Sequence, residues 1–231
     1  MLTEDLIIRN PLQKIIGAGN AVPKGGFGAV LARAGVGKTA FIVQVAMNGL
    51  LQHTNVLHIS LGEPVQKVAL WYEEVFRNST GQNAPAEMAK LWESILVHRF
   101  IMTFQKNDFT APKLEERLAD LTEQAIFLPQ IILIDGLSFA PPQIELINQL
   151  KNLAEKLQLR FWFTIRTHRD ETPGQNGLPV EMLPLADLFS VIIALDPRGQ
   201  EVDVCLTKGG VTQPKPPTLR LDPSTMLVRQ Q

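Results

Sequence analysis

The chain has 231 residues, 45% of them hydrophobic and 19% charged, a balance typical of one globular domain with a sizeable core. Its 22 basic and 23 acidic residues give a formal charge of -1, which excludes a bulk positive field for nucleic acid. The chain has one cysteine, an acidic N-terminus without a secretory signal, and no apolar run of membrane-spanning length. We therefore expect a single cytoplasmic domain over 1–231, with Cys205 packed in its core.

Apolar runs of strand length alternate with segments of helical period, which favours an α/β fold with a mostly parallel central sheet. Helices are predicted from Lys38, after Pro112, and along the apolar stripe from Ile147 to Leu157. Five buried strands are predicted, and they span 27–32, 55–61, 97–104, 130–135 and 160–165.

The pattern changes in the last quarter of the chain. The stretch 169–184 is rich in turn-forming residues and too long for a simple connector, which predicts a mobile or functional loop. Short strands separated by Asp, Pro and Gly follow at 188–195, 201–207 and 218–222. They predict an antiparallel extension of the sheet.

The junction between the first strand and its helix reads LARAGVGKTA over 31–40 and has the order of a phosphate-binding loop. Such a loop needs backbone N–H groups aimed at the phosphates, a lysine for the β and γ phosphates, and a hydroxyl for Mg²⁺ at a helix N-terminus. We expect Lys38 to contact the phosphates and Thr39 to bind the metal, although a tight strand-to-helix turn without a ligand is the alternative. The residues assigned to nucleotide binding are Ala34, Gly35, Val36, Gly37, Lys38, Thr39 and Ala40.

Two neighbouring sequence features do not change this interpretation. Ala32 stands where the usual loop pattern has its first glycine, but it lies at the strand end, where a methyl group disturbs little. Upstream, KGGFG at 24–28 also carries a lysine beside glycines, yet no Gly-Lys-Thr follows in register. We interpret it as the turn before the first strand, with Lys24 in solvent.

Two carboxylates are candidates for the chemistry that accompanies bound phosphate. Asp135 ends the apolar strand PQIILID and is expected to support Mg²⁺, the alternative being a plain strand-ending aspartate. Glu63 follows the strand HISL and is the candidate that orients the attacking water. Glu73 and Glu74 fit the solvated face of a helix better.

Other polar residues are weaker candidates for phosphate sensing or metal binding. Thr167, His168 and Arg169 follow a strand and could sense the γ phosphate, but a polar loop with local hydrogen bonds is the preferred interpretation. The histidines 53, 58 and 98 show no ligand spacing and are expected to be structural rather than metal-binding.

Taken together, these motifs resemble the RecA superfamily of ATPases, in particular its branch of KaiC and DnaB-type helicases. The resemblance covers most of the chain, from the loop through VLHISLGEP and ILIDGLS to VDVCLTKGG. It implies a RecA-like P-loop NTPase fold, a three-layer sandwich that binds ATP and Mg²⁺ and assembles as a homo-oligomer, commonly a ring. It also implies DNA binding, which the near-neutral charge does not support independently.

The chain departs from this family at two places. Gly62 occupies the position of a common glutamate, so that Glu63 alone remains. Lys208 matches the lysine of a Lys-x-Arg finger that reaches a neighbouring subunit's nucleotide, but Gly209 and Gly210 follow it. Because an arginine finger is worth about 10³ to 10⁵ in rate, its loss predicts slow turnover, suited to a switch.

We therefore expect Mg²⁺-dependent ATP binding with slow hydrolysis, in which Lys38, Glu63 and, on an adjacent protomer, Lys208 are the catalytic residues. One alternative is a module that binds ATP without hydrolysing it and orders the 169–184 loop for an unidentified protein partner. A small-molecule kinase built on the same loop is the other alternative, with Arg166 and Arg169 in its lid.

Overall fold

The strands of the computed structural model, which describes residues 2–17, 21–80, 85–167, 178–210 and 218–230, form one nine-stranded sheet. The strand order is β3-β2-β4-β5-β1-β6-β7-β8-β9. The strands are β1 Phe27–Ala32, β2 Val56–Ser60, β3 Arg99–Thr103, β4 Ile131–Asp135, β5 Arg160–Arg166, β6 Phe189–Arg198, β7 Glu201–Lys208, β8 Leu219–Asp222 and β9 Leu227–Gln230.

Helices cover both faces of this sheet. In β1, Val30 and Ala32 join the core cluster beneath α3, while Ala29 and Leu31 join the cluster beneath α6 and α7, so the strand is buried on both faces. This arrangement is compatible with a three-layer sandwich. The helices are α1 Leu2–Arg9, α2 Gln13–Ile16, α3 Lys38–Leu50, α4 Val65–Thr80, α5 Pro85–Leu96, α6 Ala111–Glu123 and α7 Ile144–Leu157.

The first six strands of the chain pair in parallel, which confirms the α/β class with a mostly parallel sheet. The carboxyl ends of these strands therefore lie along one edge of the sheet. The strands β6 to β9 pair antiparallel, which confirms the predicted C-terminal extension. No helix among the described ranges is both long and apolar enough to cross a bilayer.

Several local predictions are confirmed. The strand β1 matches its predicted range residue for residue, and α3 begins at Lys38 as expected. Thr110 caps α6, because its hydroxyl accepts a hydrogen bond from the Lys113 amide at 3.3 Å, and Pro112 lies in the first turn. Lys24 is exposed in the turn before β1.

Two predictions are wrong, each because of position in the sheet. The strand β3 is only half-buried, since it forms an edge of the sheet. Cys205 is exposed, because Val202 and Val204 take the inward positions that alternate along β7. The prediction of a mobile or functional loop over 169–184 is not tested, because 169–177 lies outside the described residues. Val180–Leu188 forms a 3₁₀ helix that buries Met182 and Leu185.

The strand β9 was not predicted, because four residues carry too little pattern. Its position depends on Gln44 of α3, whose amide donates to the Met226 carbonyl at 2.8 Å and accepts from the Val228 amide at 2.8 Å. A contact over more than 180 residues of chain has no local signal.

Candidate functional site

The loop between β1 and α3 curls through two glycines with left-handed backbone. Gly35 has φ 78° and Gly37 has φ 103°, a region that L side chains rarely adopt. A Cβ at Gly37 would lie 2.8 Å from Leu221 Cδ2, whereas the space around Gly35 is open within 4 Å. The loop therefore has room beside Gly35 and none beside Gly37.

The helix α3 presents its N-terminal amides at this loop. Gly37 is the N-cap, and its carbonyl accepts from the Phe41 amide at 2.9 Å. The amides of Lys38, Thr39 and Ala40 belong to the first turn and have no acceptor within the helix. Such a group of N–H donors, at the positive end of the helix dipole, favours an anion.

Lys38 folds back over the loop. Its ammonium donates to the Ala32 carbonyl at 2.9 Å and to the Arg33 carbonyl at 2.8 Å. Burial lowers the pKa of Lys38 below its ordinary value, and the nearby Asp135 carboxylate opposes this shift. The half-buried cation thus lies beside the curled backbone, where a phosphate oxygen could replace the carbonyl contacts.

Thr39 and Asp135 meet although 96 residues separate them. The Thr39 hydroxyl donates to Asp135 Oδ2 at 2.8 Å, and the Thr164 hydroxyl donates to Asp135 Oδ1 at 2.5 Å. Thr164 also accepts from the Gly136 amide at 3.0 Å, so the 9% exposed carboxylate is fixed on both oxygens. Hydroxyl and carboxylate oxygens are hard donors, and this pair fits Mg²⁺, whose other ligands would be phosphate and water.

Thr164 was missed at the sequence level. It lies in β5, the strand between β1 and β4, and its neighbour Phe163 pairs with Ile134, next to Asp135. A threonine inside a buried apolar strand is an ordinary β residue in sequence, so only the strand order indicates its contact with the aspartate.

Glu63 lies at the same edge of the sheet, just beyond β2. The Leu61 amide donates to the Asp135 carbonyl at 2.9 Å, which ties the ends of β2 and β4 together. The Glu63 amide donates to Ser60 Oγ at 3.0 Å, and its carboxylate accepts from Lys67 Nζ at 2.9 Å. With 45% of its side chain exposed, Glu63 is paired with α4 rather than aimed at the loop.

Gly62 has space for a side chain. A Cβ at Gly62 would lie 3.5 Å from Lys106 Cε and 3.9 Å from its Nζ, which are ordinary contacts. Lys106 follows β3 and was not singled out from the sequence. The position that carries a glutamate in the resembling family is thus next to a lysine here.

Lys208 lies away from the loop of its own chain. Lys208 pairs with Ile192 of β6, and Ile192 pairs with Ala29 of β1. Ala29 precedes Ala32, at the start of the loop, by three residues, which is about 10 Å along the strand. Its ammonium donates to the Ala186 carbonyl at 2.9 Å and lies 3.7 Å from an Asp187 carboxylate oxygen.

The two glycines after Lys208 have no space for side chains. A Cβ at Gly209 would lie 1.8 Å from the Ser190 carbonyl oxygen, and one at Gly210 would lie 2.7 Å from the Ile15 carbonyl oxygen. Both residues have positive φ, at 68° and 84°. An arginine at position 210, as in the finger of the resembling family, would therefore not fit this backbone.

Residues that follow β5 are only partly described. The Thr167 amide donates to the Ala32 carbonyl at 3.0 Å, which places it beside the loop, and Arg166 pairs with Ala32. His168 and Arg169 lie outside the described residues.

A buried histidine lies on β2, two residues before its end. His58 Nδ1 is 3.0 Å from the Tyr72 hydroxyl, and its Nε2 has no hydrogen-bond partner. Burial lowers the pKa of His58 to about 4, against an opposing contribution from the Asp135 carboxylate. His58 is thus a neutral structural residue, in line with the prediction from sequence.

This histidine predicts a pH dependence of stability. Because the unfolded chain binds the His58 proton more tightly, the free energy of unfolding falls as pH drops from 6.5 to about 4. The loss from this group totals about 3 kcal/mol. Urea unfolding of wild type and His58→Leu between pH 4 and 7 measures it, since the variant lacks the titrating group. Parallel pH profiles for the two proteins would contradict the prediction.

Comparison with known proteins adds no identity to this site. No family model matches the sequence, and no curated protein matches it.

Proposed function

We propose that this chain is a RecA-like, Mg²⁺-dependent ATP-binding protein that hydrolyses ATP slowly and works as a switch in a homo-oligomer. The observation that carries the proposal is the contact of Thr39 with Asp135 at 2.8 Å, directly behind a left-handed Gly37 and a loop-directed Lys38. A metal-ligating hydroxyl, a buried carboxylate and a phosphate-directed cation converge at one helix N-terminus. A tight turn that binds no ligand does not require a hydroxyl, a carboxylate and a cation at the same place.

Different residues would bind the phosphates and the metal ion. The first-turn amides of α3 and the Lys38 ammonium hold the phosphates, which carry the negative charge that this end of the helix favours. Mg²⁺, when bound, would neutralise charge on the outer phosphates. Thr39 and Asp135 would hold it, with Thr164 keeping the carboxylate in place.

Glu63 is the candidate that orients the attacking water. In the free protein its carboxylate is paired with Lys67, so that Glu63 must leave this ion pair before it acts. An exposed ion pair of this kind is worth at most about 1 kcal/mol, so its exchange is not a large obstacle.

Two features support slow turnover. Gly62 leaves one carboxylate where the resembling family commonly has two, and the backbone at Gly210 accepts no arginine. Lys208 is bound within its own chain, on a strand that β6 separates from β1 and its loop, so we assign it to the nucleotide of a neighbouring protomer.

Single-turnover phosphate release tests the catalytic part of this proposal. We expect Glu63→Gln to slow release by about 10² to 10⁴, the range for loss of a general base, with little change in ATP affinity. Glu73→Gln, an exposed carboxylate on α4, is the matched control and should release phosphate at the wild-type rate.

The same measurement decides between hydrolysis and a non-hydrolysing module, which the pairing of Glu63 with Lys67 favours. Tight ATP binding by the wild type without phosphate release would identify the module. Unchanged release in Glu63→Gln would remove Glu63 from the chemistry but leave ATP hydrolysis in place.

A further inference from the structure

Two histidines that are far apart in the sequence meet at the edge of the sheet opposite the phosphate loop. His53 lies in the turn after α3, and His98 directly precedes β3, 45 residues later. His53 Nδ1 is 3.3 Å from His98 Nε2, and the ring centroids are 5.2 Å apart at an interplanar angle of 69°. From sequence we expected these histidines to be structural, and their spacing along the chain gives no sign of this contact.

The two distances match those of a shared metal ion. Ring nitrogens that bind one tetrahedral Zn²⁺ at about 2.0 to 2.1 Å lie about 3.3 Å apart and put the ring centroids about 5.2 Å apart. Rings joined by a straight N–H···N hydrogen bond at that nitrogen distance would have centroids about 5.6 Å apart. The observed centroid distance of 5.2 Å is thus shorter than that of a straight hydrogen bond and equal to that of two rings on one tetrahedral ion.

Hydrogen bonds set the tautomer of His98 that a metal requires. The Asn55 amide nitrogen donates to the Leu128 carbonyl at 2.9 Å, so Asn55 Oδ1 faces His98 Nδ1, at 2.7 Å. A carbonyl oxygen only accepts, so His98 Nδ1 carries the proton and its Nε2 has a lone pair, which is the acceptor in the contact with His53 Nδ1. A ligating histidine fixed through its other nitrogen in this way is the usual second contact of metal sites.

The backbone at His53 belongs to the end of α3. His53 has φ 56°, and the Thr54 amide donates to the Gly49 carbonyl at 3.0 Å, so His53 is the left-handed residue with which helices commonly end. Here it turns the imidazole toward His98.

We propose that His53 Nδ1 and His98 Nε2 form a binding site for one divalent transition-metal ion of the Zn²⁺ class, completed by water. Imidazole nitrogens are ligands that Zn²⁺, Cu²⁺ and Ni²⁺ accept. The described ranges contain no group of three or more His, Cys, Asp or Glu side chains able to hold a metal, so the site is open rather than a closed cage. It joins the end of α3 to the start of β3 and does not depend on the proposed nucleotide site.

The test uses Zn²⁺ alone with nucleotide-free protein that carries no affinity tag, since tag histidines would bind the metal. Calorimetry is expected to give one Zn²⁺ per chain. Long-range ¹⁵N NMR of the imidazoles should show coordination at Nδ1 of one histidine and Nε2 of another. The bound metal should also raise the midpoint of thermal unfolding, because it binds the folded chain preferentially.

Two variants and one control make the result specific. His53→Gly accepts the positive φ and is expected to weaken Zn²⁺ binding at least about a hundredfold, as is His98→Ala. If His98→Ala does not fold, His53→Gly carries the test alone, because His53 is exposed. His168→Ala, which alters a histidine outside the described residues, should bind Zn²⁺ like the wild type.

Absence of Zn²⁺ binding up to millimolar concentration would overturn the proposal. Equal Zn²⁺ affinity of His53→Gly and wild type would also overturn it. The same holds for Zn²⁺ binding that is lost in Asp135→Asn and kept in His53→Gly. None of these outcomes depends on whether the chain binds ATP.

Discussion

Replacement of Lys38 by alanine is expected to weaken ATP binding by roughly a hundredfold, about 3 kcal/mol, and to abolish measurable phosphate release. The Lys38 ammonium lies over the loop on the Ala32 and Arg33 carbonyls and is the cation at the N-terminus of α3. Without it, the site loses the full positive charge over the loop, whereas the first-turn amides supply only partial charges. Equilibrium titration with a fluorescent ATP analogue in Mg²⁺ measures the affinity.

The chain contains a matched control for this experiment. Lys24 also stands beside glycines, in KGGFG, but it is exposed in the turn before β1. Lys24→Ala should therefore bind ATP and release phosphate like the wild type. Equal ATP affinity of Lys38→Ala and wild type would contradict the assignment of this loop to phosphate.

Substitution of Gly209 by alanine is expected to destabilise the fold by about 3 kcal/mol or more. The added methyl group would lie 1.8 Å from the Ser190 carbonyl oxygen, and φ 68° is unfavourable for any L side chain. The β6–β7 pairing would have to shift to relieve the contact. Chemical denaturation gives the difference in free energy of unfolding.

Gly62→Ala is the matched control, because a Cβ there meets only the end of the Lys106 side chain, with Cε at 3.5 Å and Nζ at 3.9 Å. Gly62 is also absent from the glycines of positive φ, so alanine should change stability by no more than about 1 kcal/mol. A similar free energy of unfolding for Gly209→Ala and Gly62→Ala would contradict the steric argument. An arginine at Gly210 is also expected to be unfavourable, since a Cβ there would lie 2.7 Å from the Ile15 carbonyl oxygen.

The two departures from the resembling family thus have different physical characters. At Gly62 a side chain would fit, so the backbone does not require glycine at the position where the resembling family commonly has a glutamate. At Gly209 and Gly210 the backbone itself requires glycine, so that the end of β7 turns in against Ser190 and Ile15. A side chain can therefore be introduced at Gly62 by mutation, whereas at Gly209 and Gly210 the backbone excludes one.

The sequence by itself determined the local elements around the loop. An apolar run from Phe27 to Ala32, a glycine pair and the helix stripe from Lys38 are short-range patterns, and the structure has the same strand bounds and the same first helical residue. Asp135 at the end of β4 was found in the same way. Backbone preference and turn chemistry act over a few residues, and a sequence displays them directly.

Only the tertiary structure decided which side chains meet. The contact of Asp135 with Thr39 and Thr164 depends on β5 lying between β1 and β4. His53 and His98 meet because the end of α3 packs near the start of β3. Strand order and side-chain direction follow from the packing of the whole core, so no local pattern in the chain encodes these contacts.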